Sequence, residues 1–377
     1  MNKLNIVATC TFGLERALKR EIIDLGYDID KVEDGKIYFK GNYNDMMKAN
    51  LHLRCTDRVL IFLTSFDAFS FDELFDKTKD YPWENIFDKN AGFNPTKITT
   101  VKSKLYSKRD IQKIIKKAIV ERLKNKYHTK RLSEEGAYYQ IIVNIKKDKV
   151  SLFLNTSGEG LHKRGYRENA LKAPLKETLA SGIIELSGYR GDRPFSDIMC
   201  GSGTIIIEAA MKAKNIAPGL NRHFAFENWK EFNKKEFDLI KTQAKENIIP
   251  APIRLLGNDI DYKAIKVANE NAKKAGVDDA VAFQKMDMRE FRSKKKNGTM
   301  IVNPPYAERI GEEKEVIKLY KDFGKVYENL EDWKLFVLCA HPLFQKHFGK
   351  KADKNRKLFN GNILCYLYQY YPNKGNK

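Results

Sequence analysis

Asp197-Ile198-Met199-Cys200-Gly201-Ser202-Gly203-Thr204 follows an apolar run and opens an apolar helix. Two glycines at such a turn let the backbone come close to a ligand, and the helix start offers N–H groups without intrahelical partners. Several kinds of nucleotide binder share a strand, a Gly-x-Gly turn and a helix, and a purely structural tight turn would look the same. What surrounds the turn decides. From residue 190 the chain alternates strand and helix, with strands predicted over 195–199, 254–259, 281–284, 299–302 and 335–340 and helices starting at Gly203, Tyr262 and Glu313. That alternation is the signature of a doubly wound parallel sheet. The chain then closes with 356–359, Asn360-Gly361 and 362–371, and Asn-Gly between two strand-like runs marks a two-residue hairpin. A parallel sheet finished by an antiparallel hairpin departs from the plain dinucleotide-binding arrangement.

Acidic residues recur at successive predicted strand ends: Asp197, then Asp259 in Gly257-Asn258-Asp259-Ile260-Asp261, then Asp287 in Met286-Asp287-Met288. A carboxylate at the second position can accept hydrogen bonds from both ribose hydroxyls of a nucleoside bound at the glycine turn. A side chain at the third could read an adenine amino group. Each acid alone is commonly a helix cap or a surface charge, but in such sheets ligands bind at the carboxyl ends of the strands, where all three fall.

Asn303-Pro304-Pro305-Tyr306 directly follows the apolar strand 299–302. An exocyclic amine on a base is a poor nucleophile because its lone pair is delocalised into the ring. Acceptors that hold its N–H groups draw the nitrogen toward a tetrahedral shape and free that lone pair. The Asn303 side-chain oxygen and the Pro304 carbonyl could supply both. The prolines stiffen the loop, and Tyr306 can stack on the base for about 1–3 kcal/mol. The bland alternative, a proline turn after a buried strand, does not account for the neighbouring strand-end features.

The chain has 377 residues, enough for two or three domains, and carries a net charge of +20 that favours an anionic partner. Residues 1–90 hold 13 Lys/Arg and 16 Asp/Glu, whereas 96–131 hold 13 Lys/Arg and only 2 acids. That segment predicts a helix N-capped by Ser107, with Ile111, Ile114, Ile115, Ala118, Ile119 and Leu123 on one face. Lys108, Arg109, Lys113, Lys116, Lys117 and Lys124 are candidates for phosphate contacts, the alternative being an ordinary solvated face. The region before residue 160 mixes short strands (4–8, 36–39, 97–101, 138–143, 150–154) with helices, including one over 13–25. The five cysteines lack zinc or iron–sulfur spacing and are expected to be reduced thiols. With no signal-like or bilayer-length apolar run, the chain is expected to be cytoplasmic, with no membrane partner.

Over residues 165–377 the order and spacing of these motifs resemble class I methyltransferases that act on exocyclic amines. Leu161-His162-Lys163-Arg164-Gly165-Tyr166-Arg167, followed by Ala173-Pro174-Leu175-Lys176-Glu177, is similar to the segment that precedes the first sheet strand and lines the cofactor pocket in bacterial ribosomal RNA guanine methyltransferases. The N-terminal part looks like their ferredoxin-like subdomain and THUMP RNA-binding domain. Two departures stand out: Ile198 occupies a position where relatives often carry Pro, and one catalytic domain is present where some relatives have two. The resemblance implies an α/β fold in three parts: residues 1–60 ferredoxin-like, 61–157 THUMP, and 158–377 a Rossmann-like methyltransferase domain with a mostly parallel seven-stranded sheet and an antiparallel terminal hairpin. It implies that Asp197, Cys200, Gly201, Ser202, Gly203, Thr204, Asp259, Ile260, Asp287, Met288 and Pro174 hold S-adenosyl-L-methionine, and that Asn303, Pro304, Pro305 and Tyr306 form the catalytic tetrapeptide. The expected reaction is in-line methylation of the 2-amino group of an extruded guanosine in ribosomal RNA, of the large subunit, as naked RNA or an assembly intermediate. Adenine 6-amino methylation on DNA or RNA, protein-glutamine methylation and a non-catalytic RNA-binding assembly role are the alternatives.

Overall fold

The computed structural model describes residues 3–167, 175–306 and 313–372. Its first half builds one seven-stranded sheet from β1 (Leu4–Thr9), β2 (Ile29–Glu33), β3 (Lys36–Gly41), β4 (Arg58–Asp67), β5 (Gly92–Val101), β6 (Tyr138–Lys146) and β7 (Lys149–Asn155), in the order β2-β3-β1-β4-β7-β6-β5. β5 and β6 pair in parallel and the other neighbours antiparallel. Residues 60 and 61, where the sequence suggests a domain boundary, lie inside β4, so the sheet runs unbroken across it. Four helices accompany it: α1 (Glu15–Asp24), α2 (Tyr43–His52), α3 (Phe71–Asp80) and α4 (Lys108–Tyr127). β6 buries Tyr139, Ile141, Val143 and Ile145 in strict alternation, the pattern of a strand with one covered face. In α4 the Ser107 hydroxyl accepts from the Asp110 N–H at 3.4 Å, and Ile111, Ile115, Ala118, Ile119 and Leu123 form the buried stripe.

The second half alternates α5 (Glu177–Ser187), β8 (Phe195–Asp197), α6 (Thr204–Ala213), α7 (Lys234–Glu246), β9 (Leu255–Asp259), α8 (Tyr262–Ala275), β10 (Val281–Lys285), β11 (Thr299–Val302), α9 (Glu313–Glu328), β12 (Lys334–Cys339), α10 (Phe344–Phe348), β13 (Lys354–Asn360) and β14 (Ile363–Tyr370). The sheet order is β10-β9-β8-β11-β12-β14-β13. Its first five strands are parallel and β14 runs antiparallel between β12 and β13. Every residue of β11 is buried, as expected of a central parallel strand covered on both faces. The hairpin sits one residue later than its sequence suggests: Asn360 pairs with Ile363, so the two-residue loop is Gly361-Asn362. Gly361 supplies the positive φ of 61° at the first loop position.

The halves share one hydrophobic core, which runs from Ile6 and Leu18 through Leu179 and Ile183 to Ile206. At their joint a Cβ on Gly182 of α5 would lie 2.5 Å from the Leu14 side chain, which would have to shift to admit it. Thr178 donates to Asp57 at 2.9 Å, and Arg356 of the C-terminal hairpin donates to the Gly13 carbonyl at 2.8 Å. Deepest in the joint lies Arg164, which donates to the carbonyls of Leu161 (2.8 Å) and Arg54 (2.5 Å) and pairs with Glu208 of α6 at 3.4 Å. Glu208 also accepts from Tyr166 (3.0 Å) and Ser181 (2.5 Å). Arg164 and Tyr166, read in sequence as part of a segment lining the cofactor pocket, are thus buried fastenings.

Candidate active site

From β8 the chain steps outward to β9 and β10, then returns to the other side of β8 as β11. The strand order therefore reverses between β8 and β11, and a crevice opens at their carboxyl ends. The glycine turn fills one wall. The Cys200 N–H donates to the Asn258 carbonyl at 2.8 Å and the Gly201 N–H to Asp259 Oδ2 at 2.8 Å. Asn271 of α8 donates to the Ser202 carbonyl at 3.1 Å. Gly203 has a φ of 83°, and a Cβ there would meet Phe283 at 2.8 Å and Ala268 at 3.0 Å. Both conformation and space demand glycine.

Asp259 serves the turn as well as facing the crevice: its second oxygen accepts from the Asp261 N–H at 3.0 Å. Next to it Ile260 is 65% exposed, an apolar side chain left open beside a carboxylate. Asp197 is buried, and its Oδ1 accepts from the Met199 N–H at 3.1 Å. Burial pushes its carboxyl up to about 8; the nearby Asp259 adds to the shift and the Met199 N–H opposes it. Thr204, the first residue of α6, accepts from Arg167 at 3.3 Å, and Arg167 also pairs with the buried Glu177 at 3.0 Å.

Asp287 is less simple than a bare acceptor. It caps the turn at Met288–Glu290 by accepting from the Arg289 N–H at 2.9 Å, and its other oxygen accepts from the Arg289 guanidinium at 2.8 Å. Arg289 in turn reaches Asp322 of α9 at 2.8 Å. The Met288 side chain is buried in the apolar cluster of Phe291 and Trp333. Pro174 lies outside the described residues.

The opposite wall is the tetrapeptide. Thr299 and Met300 pair with Phe195 and Ser196, which brings Asn303 level with the glycine turn, about one strand spacing (~5 Å) across. Its Oδ1 is buried and, among the described residues, has no hydrogen-bond partner. A buried unpaired acceptor costs about 1–3 kcal/mol, so an amine donor entering there would recover that cost. Tyr320 of α9 donates to the Pro305 carbonyl at 2.8 Å and lies 3.4 Å from Cys339 Sγ. It braces the loop from behind, a role the helix pattern of 313–328 did not reveal because its partners are 15 and 19 residues away. Tyr306 is half-buried at the end of the loop.

The basic helix is split in use. Lys108, Arg109, Lys113 and Lys117 are exposed and Lys124 is half-buried. Lys116 turns back instead: it donates to the Phe93 carbonyl at 2.6 Å and pairs with Glu134 at 2.9 Å. No helix among the described residues is long and apolar enough to cross a membrane.

Three buried carboxyls share one sign of pH dependence. Burial pushes Asp197 up to about 8, and Glu21 and Glu177 up to about 7. A carboxyl raised in the folded state stabilises fully below its unfolded value and loses that contribution as pH rises through the folded one. His52 and His162, lowered to about 4 by burial, act oppositely only below about pH 6.5. Stability is therefore expected to fall between pH 6.5 and 8. In Asp197→Asn, urea unfolding should show a slope shallower by up to about 1.4 kcal/mol per pH unit; an unchanged slope would mean Asp197 is ionised in the folded protein.

A seven-stranded sheet of this order, with a glycine turn and an acid at adjacent strand ends, defines a class I methyltransferase domain. A methyltransferase-domain family model described as RMKL-like matches residues 164–369, one for the RlmL ferredoxin-like domain matches 5–60, and a THUMP domain model matches 68–155. The chain is 41% identical over 374 residues to YpsC of Bacillus subtilis (strain 168), covering 98% of this chain and 97% of that one. It is 33% identical over 367 residues to Ribosomal RNA large subunit methyltransferase K/L of Psychromonas ingrahamii, where it covers 95% of this chain but spans 49% of the relative. Among solved structures, SMU.472 complexed with SAH superposes with a TM-score of 0.93 at 39% identity, covering 99% of both chains. A Listeria monocytogenes protein described as "a predicted N6-adenine-specific DNA methylase" superposes with a TM-score of 0.92 at 43% identity, covering 99% of this chain and 97% of that one. The chain belongs to the RMKL-like methyltransferase family, in the form that carries a ferredoxin-like and a THUMP domain ahead of the catalytic one.

Proposed function

We propose that this protein transfers the methyl group of S-adenosyl-L-methionine to the 2-amino group of a guanosine in large-subunit ribosomal RNA. The observation that carries the reading is Asn303 Oδ1, buried and without a hydrogen-bond partner among the described residues, on the wall facing the glycine turn. When bound, the cofactor supplies an electrophilic methyl group on a sulfonium. The chain's residues do the rest. Asp259 accepts from the ribose hydroxyls, Ile260 covers the adenine ring, and Asp197 with Cys200, Gly201, Ser202, Gly203 and Thr204 shapes the turn against which the methionine portion lies. Asp287, whose carboxylate is held by Arg289, lies on the adenine side with the backbone of Met288 beside it.

Asn303 Oδ1 and the Pro304 carbonyl would accept hydrogen bonds from the two amine N–H groups, which would leave the nitrogen lone pair free to face the methyl group that the bound cofactor would supply, with the proton released on methylation passing to water. Tyr306 stacks on the extruded base, whose extrusion costs a few kcal/mol. Lys108, Arg109, Lys113, Lys117 and Lys124 contact RNA phosphates, with Lys116 supporting that surface from within. The ribosomal relative and the THUMP domain favour RNA, and the name of the Psychromonas relative favours the large subunit.

The test is incubation with labelled cofactor and large-subunit ribosomal RNA made by transcription, followed by mass spectrometry of the nucleosides. Methylation on the guanosine 2-amino group is expected. Methylated adenosine would replace the guanine assignment, and no incorporation into RNA or assembling particles would overturn the reading. Asp259→Ala is expected to weaken cofactor binding roughly 10- to 100-fold, because hydrogen bonds to a charged group contribute about 1.5–3 kcal/mol. Calorimetric titration with the cofactor checks it. An unaltered Kd would remove Asp259 from the binding site.

A further inference from the structure

The segment between α6 and α7 leaves the catalytic sheet and folds back onto the N-terminal half. The Gly219 N–H donates to the Leu51 carbonyl at 3.0 Å, and the Phe226 N–H to the Thr156 carbonyl at 3.1 Å. Trp229 then stacks on Tyr139 of β6, with ring centres 5.1 Å apart and planes inclined by 28°. Between this segment and the sheet is a cavity of about 330 Å³. Small-ligand cavities hold about 300–1,000 Å³ and recur at domain boundaries, so size and place both suit one small molecule. Among the described residues, none that lines it belongs to the crevice at the glycine turn.

Its walls are aromatic: Tyr43 and Tyr81 are half-buried, and Tyr139 and Trp229 are buried. Two polar groups stand among these rings. The Trp229 indole N–H is buried and, among the described residues, has no hydrogen-bond partner. The Glu231 carboxylate accepts from the Tyr139 hydroxyl at 3.3 Å and lies 3.6 Å from the Lys230 ammonium. A carboxylate has about four acceptor positions, so Glu231 keeps capacity for further donors. Burial, and after it the Glu231 charge, lift the Tyr43 hydroxyl to about 12, which keeps it protonated at neutral pH. The exposed Lys3 completes the lining with a cation.

These groups select a ligand by elimination. An alkylammonium ion would suit the rings and the carboxylate, but Glu231 already has Lys230 beside it, and the indole N–H would stay unmet. A flat ring that carries acceptors and two adjacent N–H donors answers all of them. Guanine has that layout: its N1–H and 2-amino group form a donor pair on one edge, and O6 and N7 are acceptors. The donor pair matches a carboxylate in bidentate fashion, and the tyrosine faces suit stacking on the ring. Adenine places an acceptor beside a donor on the same edge, and its N1 lone pair would oppose the carboxylate. We propose that this cavity binds one free guanine nucleotide, with Glu231 on the base edge and Lys3 on the phosphate. The site is separate from the crevice, so it stands whether or not guanosine in RNA is the residue methylated there.

The probe is guanosine monophosphate, titrated calorimetrically into the full chain beside adenosine monophosphate. Saturable binding of the guanine nucleotide is expected, with the adenine nucleotide weaker by roughly tenfold or more. Glu231→Gln sets an amide donor against the donors of the base and should weaken binding roughly tenfold or more. Gln keeps an acceptor for the Tyr139 hydroxyl, so its melting temperature should match the parent's. Asn303→Ala, altered only in the crevice, should bind the nucleotide as the parent does. No saturable binding below about 1 mM, equal affinity for both nucleotides, or an unaltered Kd in Glu231→Gln would each overturn the site. Lost binding in Asn303→Ala would put the nucleotide in the crevice instead. Displacement by a short guanine-containing RNA would make the occupant part of a polymer and overturn the free nucleotide.

Discussion

Asn303→Ala is expected to lower methyl-transfer kcat by on the order of 10²–10³-fold while leaving cofactor affinity and thermal stability intact. The magnitude follows from fixed dipoles aimed at a reacting group, whose single removal costs about that much. Stability should not suffer, because Asn303 Oδ1 is buried without a partner among the described residues and its deletion removes an unmet acceptor, offsetting the lost packing. That combination separates a residue kept for chemistry from one kept for folding. Single-turnover kinetics at saturating cofactor, read beside a melting curve, would reveal it. A variant that lost several degrees of melting temperature, or kept more than a tenth of its rate, would assign Asn303 to the scaffold instead.

Arg164→Ala is expected to destabilise the folded chain by about 3–5 kcal/mol, the usual consequence of removing one partner from a buried ion pair. Glu208 would lose its ion-pair partner and be left hydrogen-bonded to the Tyr166 and Ser181 hydroxyls. The carbonyls of Arg54 and Leu161 would lose their donor as well. Domain stabilities are about 5–15 kcal/mol, so this loss takes a large share of the margin. Urea unfolding checks it, with Glu208→Leu/Arg164→Met as a companion that removes both charges and should recover much of the loss. A single-variant loss below about 1 kcal/mol would mean that water reaches the pair. The expected consequence extends to catalysis, because Glu208 stands on α6, whose first residue, Thr204, ends the glycine turn.

These two residues also mark how far the sequence could be followed. Asn303 was legible because its signal is local: a four-residue apolar strand ends directly in a stiff tetrapeptide. The glycine turn and Asp259 were legible for the same reason, and the strand–helix alternation ordered them correctly along one sheet edge. Arg164 was not, since its partners lie at residues 54, 161, 166, 181 and 208 only after folding. The same long reach hid the Lys116–Glu134 pair and the Tyr320 brace. α5 escaped notice because it is buried on nearly every side and shows no apolar stripe. Asp287 is a different case. Its Arg289 partner is only two residues away, but an acid and a base two residues apart face each other only because the chain turns between them.

The core shared by both halves has a consequence for timing. Opening the joint between the two halves would expose Leu14, Leu179 and Ile183 to water, so the catalytic crevice and the N-terminal sheet are held in one frame. The yielding must then come from the RNA, which has to bend, unpair and offer its target at the spacing the frame dictates. The joint therefore leaves timing to the substrate: an RNA stretch too stiff to reach the glycine turn in this frame would go unmodified.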